Sequence, residues 1–509
     1  MKKVHLARAT SALVLGASLS ACSAGHTAVK PTASDSLTIA ATGAATSLDF
    51  TNVGGAAIPA ALMSNVYETL VRIEGDEIVP GLAESWDAKD TTYTFHLRRG
   101  VQFSNGDEFT AETAAYSINN VKEKWTNGIS KQMEVVESAK ALDKYTLQVK
   151  LKKHSNSWLW SMGTAIGAMM TPNAMDLATQ PVGTGPFELA GFAPGEYISL
   201  RPHQNYWGKV PKEQVTIQYF PDAISSVNSL KSGGVDVVWA MQNPELLDNL
   251  GEGIRTAVGT TNGEVLLSMN NTRAPFDDPN VRRAVAYAVD RAAVNEVVYN
   301  GLATDTGGAP VPPTDPWYPG RDFYPFDPDK ARELLAGRTP EITITVPNRP
   351  YAQEASELLY SQLRDVGFRV RLETVEFPAV WLNQVLKGHD YQASIVSHVE
   401  PRDVPTLFGD PDYYLNYDSP RTRELLAQAD SAPEKDYPKL MAQAVDQIMA
   451  DAGALTLMNM PNIVLTRAGV SGLHPDQVTD ALILRDLTSA DADAGAKTTA
   501  AENTEKEAR

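Results

Sequence analysis

The chain has 509 residues, 43% apolar and 21% charged, with a formal net charge of −18. That is globular composition on a chain long enough for two or three domains. The acidity argues against nucleic acid as a partner, because phosphate contacts need a basic surface.

The opening comes first in chain order. Lys2, Lys3 and Arg8 give a basic start, Ala9 to Ala21 is mostly small and apolar, and the run ends at Cys22, the one cysteine in the chain. This is the layout of an export signal, too short to span a bilayer permanently. Leu19-Ser20-Ala21-Cys22 resembles the bacterial lipobox, in which the cysteine receives a diacylglyceryl group and becomes the first residue after cleavage. Cys22 is then a lipid attachment point, and acyl chains contribute ~0.8 kcal/mol per buried CH₂ to holding a protein on a membrane. Removing residues 1–21 takes away three basic residues and no acidic one, so the mature charge becomes −21. Beyond the signal no apolar run is long enough to cross a membrane. Residues 23–36 are small and polar and read as a flexible tether. The tail from Thr488 to Arg509 carries many charges and no large apolar residue, and is expected to be disordered.

The body between them alternates strand and helix patterns. From about 53 to 180 it reads as antiparallel strands with a few helices, including runs at Tyr93–Leu97 and Tyr145–Leu151. Phe103-Ser104-Asn105-Gly106 reads as a hairpin-type turn between strands. Val215–Phe220 is a strand. Asp222 caps a helix with Ala223, Ile224, Val227 and Leu230 on its apolar face, Gly233 ends it, and Val235–Trp239 follows. That β-α-β unit implies parallel strands and a right-handed crossover. Val265–Met269 reads as a strand. Asp278 then caps the most regular helix, with Pro279 first and Val281, Ala284, Val285, Ala288 and Val289 facing inward. A second α/β series follows: a helix from Asp327 and Pro328 to Gly337, a strand at Glu341–Val346, and a helix on Ala355, Leu358, Leu359, Leu363 and Val366. A strand at Phe368–Leu372 exposes Arg369 and Arg371, then come a helix near Val380–Leu386 and a strand near Tyr391–Val396. The fold class is α/β, in two regions meeting near residue 270.

Reactive constellations are missing from the sequence. The eight histidines lie at 5, 26, 96, 154, 203, 389, 398 and 474, with none of the spacing of a zinc-protease helix. There is no GxSxG elbow and no GxxxxGK[ST] loop. An enzyme is not expected, and no cofactor or resident metal is implied.

Several phrases are specific. They are Gly81–Glu112 (GLAESWDAKDTTYTFHLRRGVQFSNGDEFTAE), Val182–Phe187 (VGTGPF), Asn205–Gly208 (NYWG), Leu230–Val237 (LKSGGVDV), Met269–Arg291 (MNNTRAPFDDPNVRRAVAYAVDR) and Phe326–Leu335 (FDPDKARELL). In this order they resemble the family 5 solute-binding proteins, the peptide-, dipeptide- and nickel-binding components of ATP-binding-cassette importers. The resemblance implies a two-lobed periplasmic-binding-protein-like fold of class II, cluster C type, closing on a ligand by hinge motion. Lobe one would be 37–270 with an inserted subdomain near 53–180, plus a return at 458–487. Lobe two would be 271–457, with a second crossing near Ala454–Asn462. The phrases themselves read as scaffold, not ligand contacts. In VGTGPF the glycines permit a sharp backbone path before Pro186 and Phe187.

The resemblance also implies an acidic residue of lobe two that pairs with a peptide's amino group. The matching stretch is Ser394–Phe408 (SIVSHVEPRDVPTLF). It departs from the usual tryptophan, aspartate and Asp-Pro pattern. Glu400 falls near the amine-binding position and Asp403 matches the later aspartate; both could equally be a solvated acidic loop. Gly54 and Gly55 match by position a loop whose backbone touches ligand. Trp239 could line the cleft or pack in the core, and His398 could contact a metal complex or a carboxylate. The expected protein is an exported, lipid-anchored monomer on the outer face of the cell membrane. It would capture oligopeptides or dipeptides and deliver them to membrane permease subunits. The alternative is a non-peptide solute: a metal chelate, haem or a small glycan.

Overall fold

A computed structural model of the chain describes residues 36–479 and 481–490. The signal, Cys22, nearly all of the tether and the tail beyond residue 490 lie outside the described residues.

A ten-stranded mixed sheet runs through the molecule. From one edge its strands are Arg369–Val375, Glu341–Pro347, Ala393–His398, Ile254–Met269, Ala454–Arg467, Val237–Met241, Ser36–Ala41, Gln214–Tyr219, Tyr197–Pro202 and Phe187–Ala193. Ser36–Ala41 pairs parallel with both Gln214–Tyr219 and Val237–Met241, so the expected β-α-β unit spans the first strand. Its helix, Ala223–Ser232, is capped by Asp222 accepting from the Ser225 N–H and ends at left-handed Gly233. Glu341–Pro347 pairs parallel with Arg369–Val375, to which the helix Pro350–Asp365 joins it, and also with Ala393–His398.

Two strands are long. Ile254–Met269 and Ala454–Arg467 pair antiparallel along nearly their whole length, with a slip in register between Thr260 and Glu264. Buried apolar residues sort about that slip. One core holds Val265–Met269, the helices from Pro279 onward and Ala454–Met460. The other holds residues between Leu37 and Trp239 with Val464 and Ala481–Leu487, and a smaller cluster of Ala40, Phe220, Val227, Leu230, Ile463 and Leu465 lies on the same side of the slip. The change of core therefore falls at Thr261–Glu264 and Met460–Ile463. Strand patterning marks where strands end, and these two do not end at the boundary.

The subdomain carries an antiparallel sheet ordered Ala83–Lys89, Thr92–Leu97, Thr146–Leu151, Val136–Asp143. The helix Ala111–Lys124 packs on it through Ala114, Ile118 and Val121. The Phe103–Gly106 turn exists, but only a single bridge, Gln102 to Glu108, flanks it. Thr488–Ser489 pairs with Val470–Ser471, so the first two residues of the expected tail are held by the fold. Main-chain bonds decide there, and composition is blind to them.

The sequence phrases meet as scaffold. A Cβ on Gly183 would sit 1.8 Å from the Val66 carbonyl oxygen, and one on Gly185 would sit 2.3 Å from that of Asn65. Glu68 is buried and accepts from Thr184 Oγ1, Trp207 Nε1 and Tyr206 Oη, all at 2.9 Å. VGTGPF and NYWG thus converge on one carboxylate. Arg282 donates to the carbonyls of Phe276, Asp451 and Ala452, and Arg291 pairs with Asp305 and Asp322.

Candidate functional site

The site is built where the long strands change core. Strand Ala393–His398 pairs with Ile254–Met269 and sets His398 directly opposite Glu264. The chain then leaves the sheet as the loop Val399–Asp403, and Asp403 starts the short helix Val404–Gly409, accepting the N–H groups of Thr406 and Leu407 at its carbonyl. Cavities open on both sides of this loop. One, of about 280 Å³, is lined by Thr42, Trp239, Gln242, Asn262, Val399 and Asn462, among others. The other, of about 510 Å³, is lined by Lys131, Lys152, Trp160, Glu400, Arg402 and Asp430, among others, and so lies between the subdomain and the second core.

Two non-glycine residues of these walls, Ala240 and Arg402, hold left-handed backbone at φ 53° and 54°. Such conformations cost energy in L-residues and gather at ligand sites.

The electrostatics are unusual. Glu264 is 4% exposed; Thr456 Oγ1 donates to its Oε2, while Oε1 has no partner. Burial pushes its carboxyl well up, and Asp403 and Asp315 add to this. Asp315 is 6% exposed with Oδ2 unpartnered, and burial pushes it up to about 7, opposed by Arg402. Asp403 is likewise pushed well up by burial and then by Glu400 and Asp315. Against these stands Arg402, whose Nε is 3.9 Å from Asp315 Oδ1 and lacks a hydrogen bond. Its guanidinium carbon lies 3.2 Å from the Trp160 ring centre and 5.1 Å from that of Trp317. His398 is buried, with Nε2 2.7 Å from Tyr414 Oη, which in turn meets Ser268 Oγ at 2.7 Å. Burial lowers its basicity, opposed by Glu400.

Donor atoms of His398, Glu400 and Asp403 lie within 4.8 Å of one another. The structure thus brings together three of the residues singled out in the sequence. Trp239 belongs both to a core and to the wall of the smaller cavity. Gly54 and Gly55 are exposed and line neither cavity; Gly43, Ala56 and Ala57 take that place. Sequence reading missed Glu264, Asp315, Arg402 and Trp160. Only Glu264 carried a signal, a charge in a strand whose two faces are both apolar.

At the outer rim the two bodies touch. Asp430 Oδ1 accepts from Ser155 Oγ and Ser157 Oγ at 2.8 Å and from the Ser157 N–H at 3.1 Å. Asn156 Nδ2 returns bonds to the carbonyls of Ala429 and Ala432 at 2.8 and 2.9 Å.

A continuous sheet with two cores, a cleft where they part and walls from both defines a two-lobed solute-binding fold. The family model of bacterial extracellular solute-binding proteins, family 5, matches residues 77–432, and the chain belongs to that family. Heme-binding protein A of Haemophilus influenzae is 32% identical over 309 residues, covering 53% of this chain and 56% of that protein. Glutathione-binding protein GsiB of Salmonella choleraesuis is 28% identical, over 62% and 65%. These matches span less than two thirds of either relative. Di/tripeptide-binding protein 1 of Pseudomonas aeruginosa is 26% identical over 78% of this chain and 79% of its own. Among solved structures, the periplasmic binding protein DppA of Helicobacter pylori, in complex with peptide STSA, aligns at TM-score 0.77 and 25% identity, over 89% and 98%. Staphylococcus aureus NikA, in complex with nickel and L-histidine, aligns at TM-score 0.77 and 19% identity over 89% and 100%, a likeness of fold. Within the described residues no helix is long and apolar enough to cross a membrane.

Proposed function

We propose that this protein is the capturing subunit of an ATP-binding-cassette importer, holding small peptides in the cleft and passing them to membrane permease subunits. It changes no covalent bond. Its export and lipid attachment at Cys22 rest on the Leu19–Cys22 sequence. The observation that carries the peptide reading is Glu400. It is exposed, lines the larger cavity and stands beside Asp403, in a loop facing walls from both bodies. An amino group there would neutralise part of an acidic site. Exposed Lys131, Lys152 and Lys153 at the far wall suit a peptide's carboxylate. The kinship with a di/tripeptide-binding protein supports the same reading.

Native mass spectrometry of the purified protein should show copurified masses of small peptides. Glu400→Gln should weaken free-amine peptides by about tenfold, as expected for losing a charged partner, and acetylated ones by much less. Equal loss for both would remove Glu400 from this role. A second reading, a metal chelate or haem, is favoured by the closeness of His398, Glu400 and Asp403 and by the haem-binding relative. Copurified metal or a Soret band in place of peptide masses would select it.

A further inference from the structure

The loop Val399–Asp403 separates two spaces of opposite character. The larger is walled by charge, including Lys131, Glu134, Lys152, Glu400, Arg402 and Asp430. Among the described residues, no charged side chain lines the smaller. Its floor is the sheet. Ala41 pairs with Tyr219 on one side and directly follows the Ala40–Val238 pair on the other. A small residue therefore stands between Tyr219 and Trp239 across three strands, and all three line the cavity. The facing wall is the helix Ala57–Leu62, which presents Ala57, Ala60 and Ala61 at the i, i+3, i+4 spacing of one helical face. Small side chains above and below thus leave a notch between two aromatic ones. The notch is open to solvent, because Gly43, Ala56 and Val399 line it and are exposed. Ala240, next to Trp239 in the same wall, holds the left-handed backbone typical of ligand sites.

We propose that this notch receives an aromatic side chain from the first or second residue of the captured peptide, so that the protein prefers peptides with phenylalanine, tyrosine or tryptophan there. The proposal rests on the peptide reading and names its substrate class. Val399 lines the smaller space and Glu400 the larger. Their Cα atoms are consecutive and so about 3.8 Å apart. An amino group held at Glu400 and a side chain held against Val399 thus belong to the same end of one small peptide. A ring standing over Ala41 has an aromatic neighbour on each side at about the strand spacing, ~4.8 Å. That falls within the ~4.5–7 Å over which aromatic rings pair favourably. An aliphatic side chain buries apolar area there without that pairing, and a charged one meets no opposite charge. Met460, also in the wall, adds a polarisable sulfur that suits a ring.

The test is calorimetry at several temperatures with Phe-Ala-Ala, Ala-Phe-Ala, their leucine counterparts and Ala-Ala-Ala. One of the two phenylalanine peptides should bind at least about tenfold more tightly than Ala-Ala-Ala, as burial of one large apolar side chain allows. It should also bind about threefold more tightly than its leucine counterpart. Its binding heat capacity should be more negative than that of Ala-Ala-Ala, the mark of apolar burial. Ala60→Leu adds a side chain to the helical wall of the notch at a position where leucine is a good helix former. It should cut the preference for phenylalanine over alanine to less than about threefold and remove the heat-capacity difference. Ala57→Leu serves as a second variant if Ala60→Leu does not fold. An unchanged preference in the folded variants would overturn the proposal. So would equal binding of phenylalanine and alanine peptides by the wild type, or leucine peptides binding as tightly as phenylalanine ones. Binding of none of the tripeptides would instead refute the peptide reading, and the aromatic pocket with it.

Discussion

Glu68 shows how a single side chain can fix a sequence phrase. Its two oxygens take hydrogens from Thr184, Tyr206 and Trp207, none of which is near it in sequence. Burial raises its carboxyl pKa and these donors oppose that rise. Glu68→Ala would leave three donors unsatisfied in a dry environment, at about 1 kcal/mol or more each. A loss of about 3 kcal/mol in urea unfolding is expected, with ligand affinity unchanged in the fraction still folded. Gly183 belongs to the same knot for a steric reason, since any Cβ would overlap the Val66 carbonyl.

The elements most legible in the sequence are those with local signals. The helix Pro279–Ala288 begins where Asp278 and Pro279 say it should. Ala223–Ser232 ends at its glycine, and Thr92–Leu97 alternates inward and outward as its sequence does. The site was legible only in part, because its members are far apart in the chain. His398, Glu400 and Asp403 share one segment and could be named together. Asp315 and Arg402 meet only through tertiary packing, and Trp160 reaches them from another body. Equally invisible was the contact between the short helix Asn156–Ser161 and the end of Pro420–Ser431. It ties the subdomain to the second core, and any separation of the two would have to break it. Asp430→Ala removes three hydrogen bonds to a carboxylate there. Ligand affinity should fall by about threefold to tenfold through the shifted opening equilibrium. Scattering of the ligand-free variant should show a larger radius of gyration than the parent; unchanged scattering and affinity would leave the contact without a role in closure.

For the molecule as a whole, the buried acids set the pH dependence of stability. Asp315 rises from 3.8 to about 7 on folding, and Glu264 and Asp403 shift the same way. A raised carboxyl contributes stability that is fully present below its unfolded pKa and lost as pH climbs through the folded value. His398 is shifted down, so it contributes above its ordinary value and works in the opposite direction. One imidazole is outweighed by three carboxyls. The ligand-free protein should therefore be less stable near pH 8 than near pH 5, by about 2 kcal/mol. Chemical denaturation at both pH values measures this. Asp315→Asn should flatten the slope, and a rise in stability toward alkaline pH would contradict the assignment.

The first body is finished by the last part of the chain. Ala454–Arg467 is the sheet neighbour of Val237–Met241, and Asn65 exchanges hydrogen bonds with the main chain of Leu482 and Leu484. A ribosome must therefore complete nearly the whole polypeptide before the amino-terminal half can reach its native state. A nascent chain held open in that way stays threadable, which is the condition a translocation pore imposes on anything sent through it unfolded.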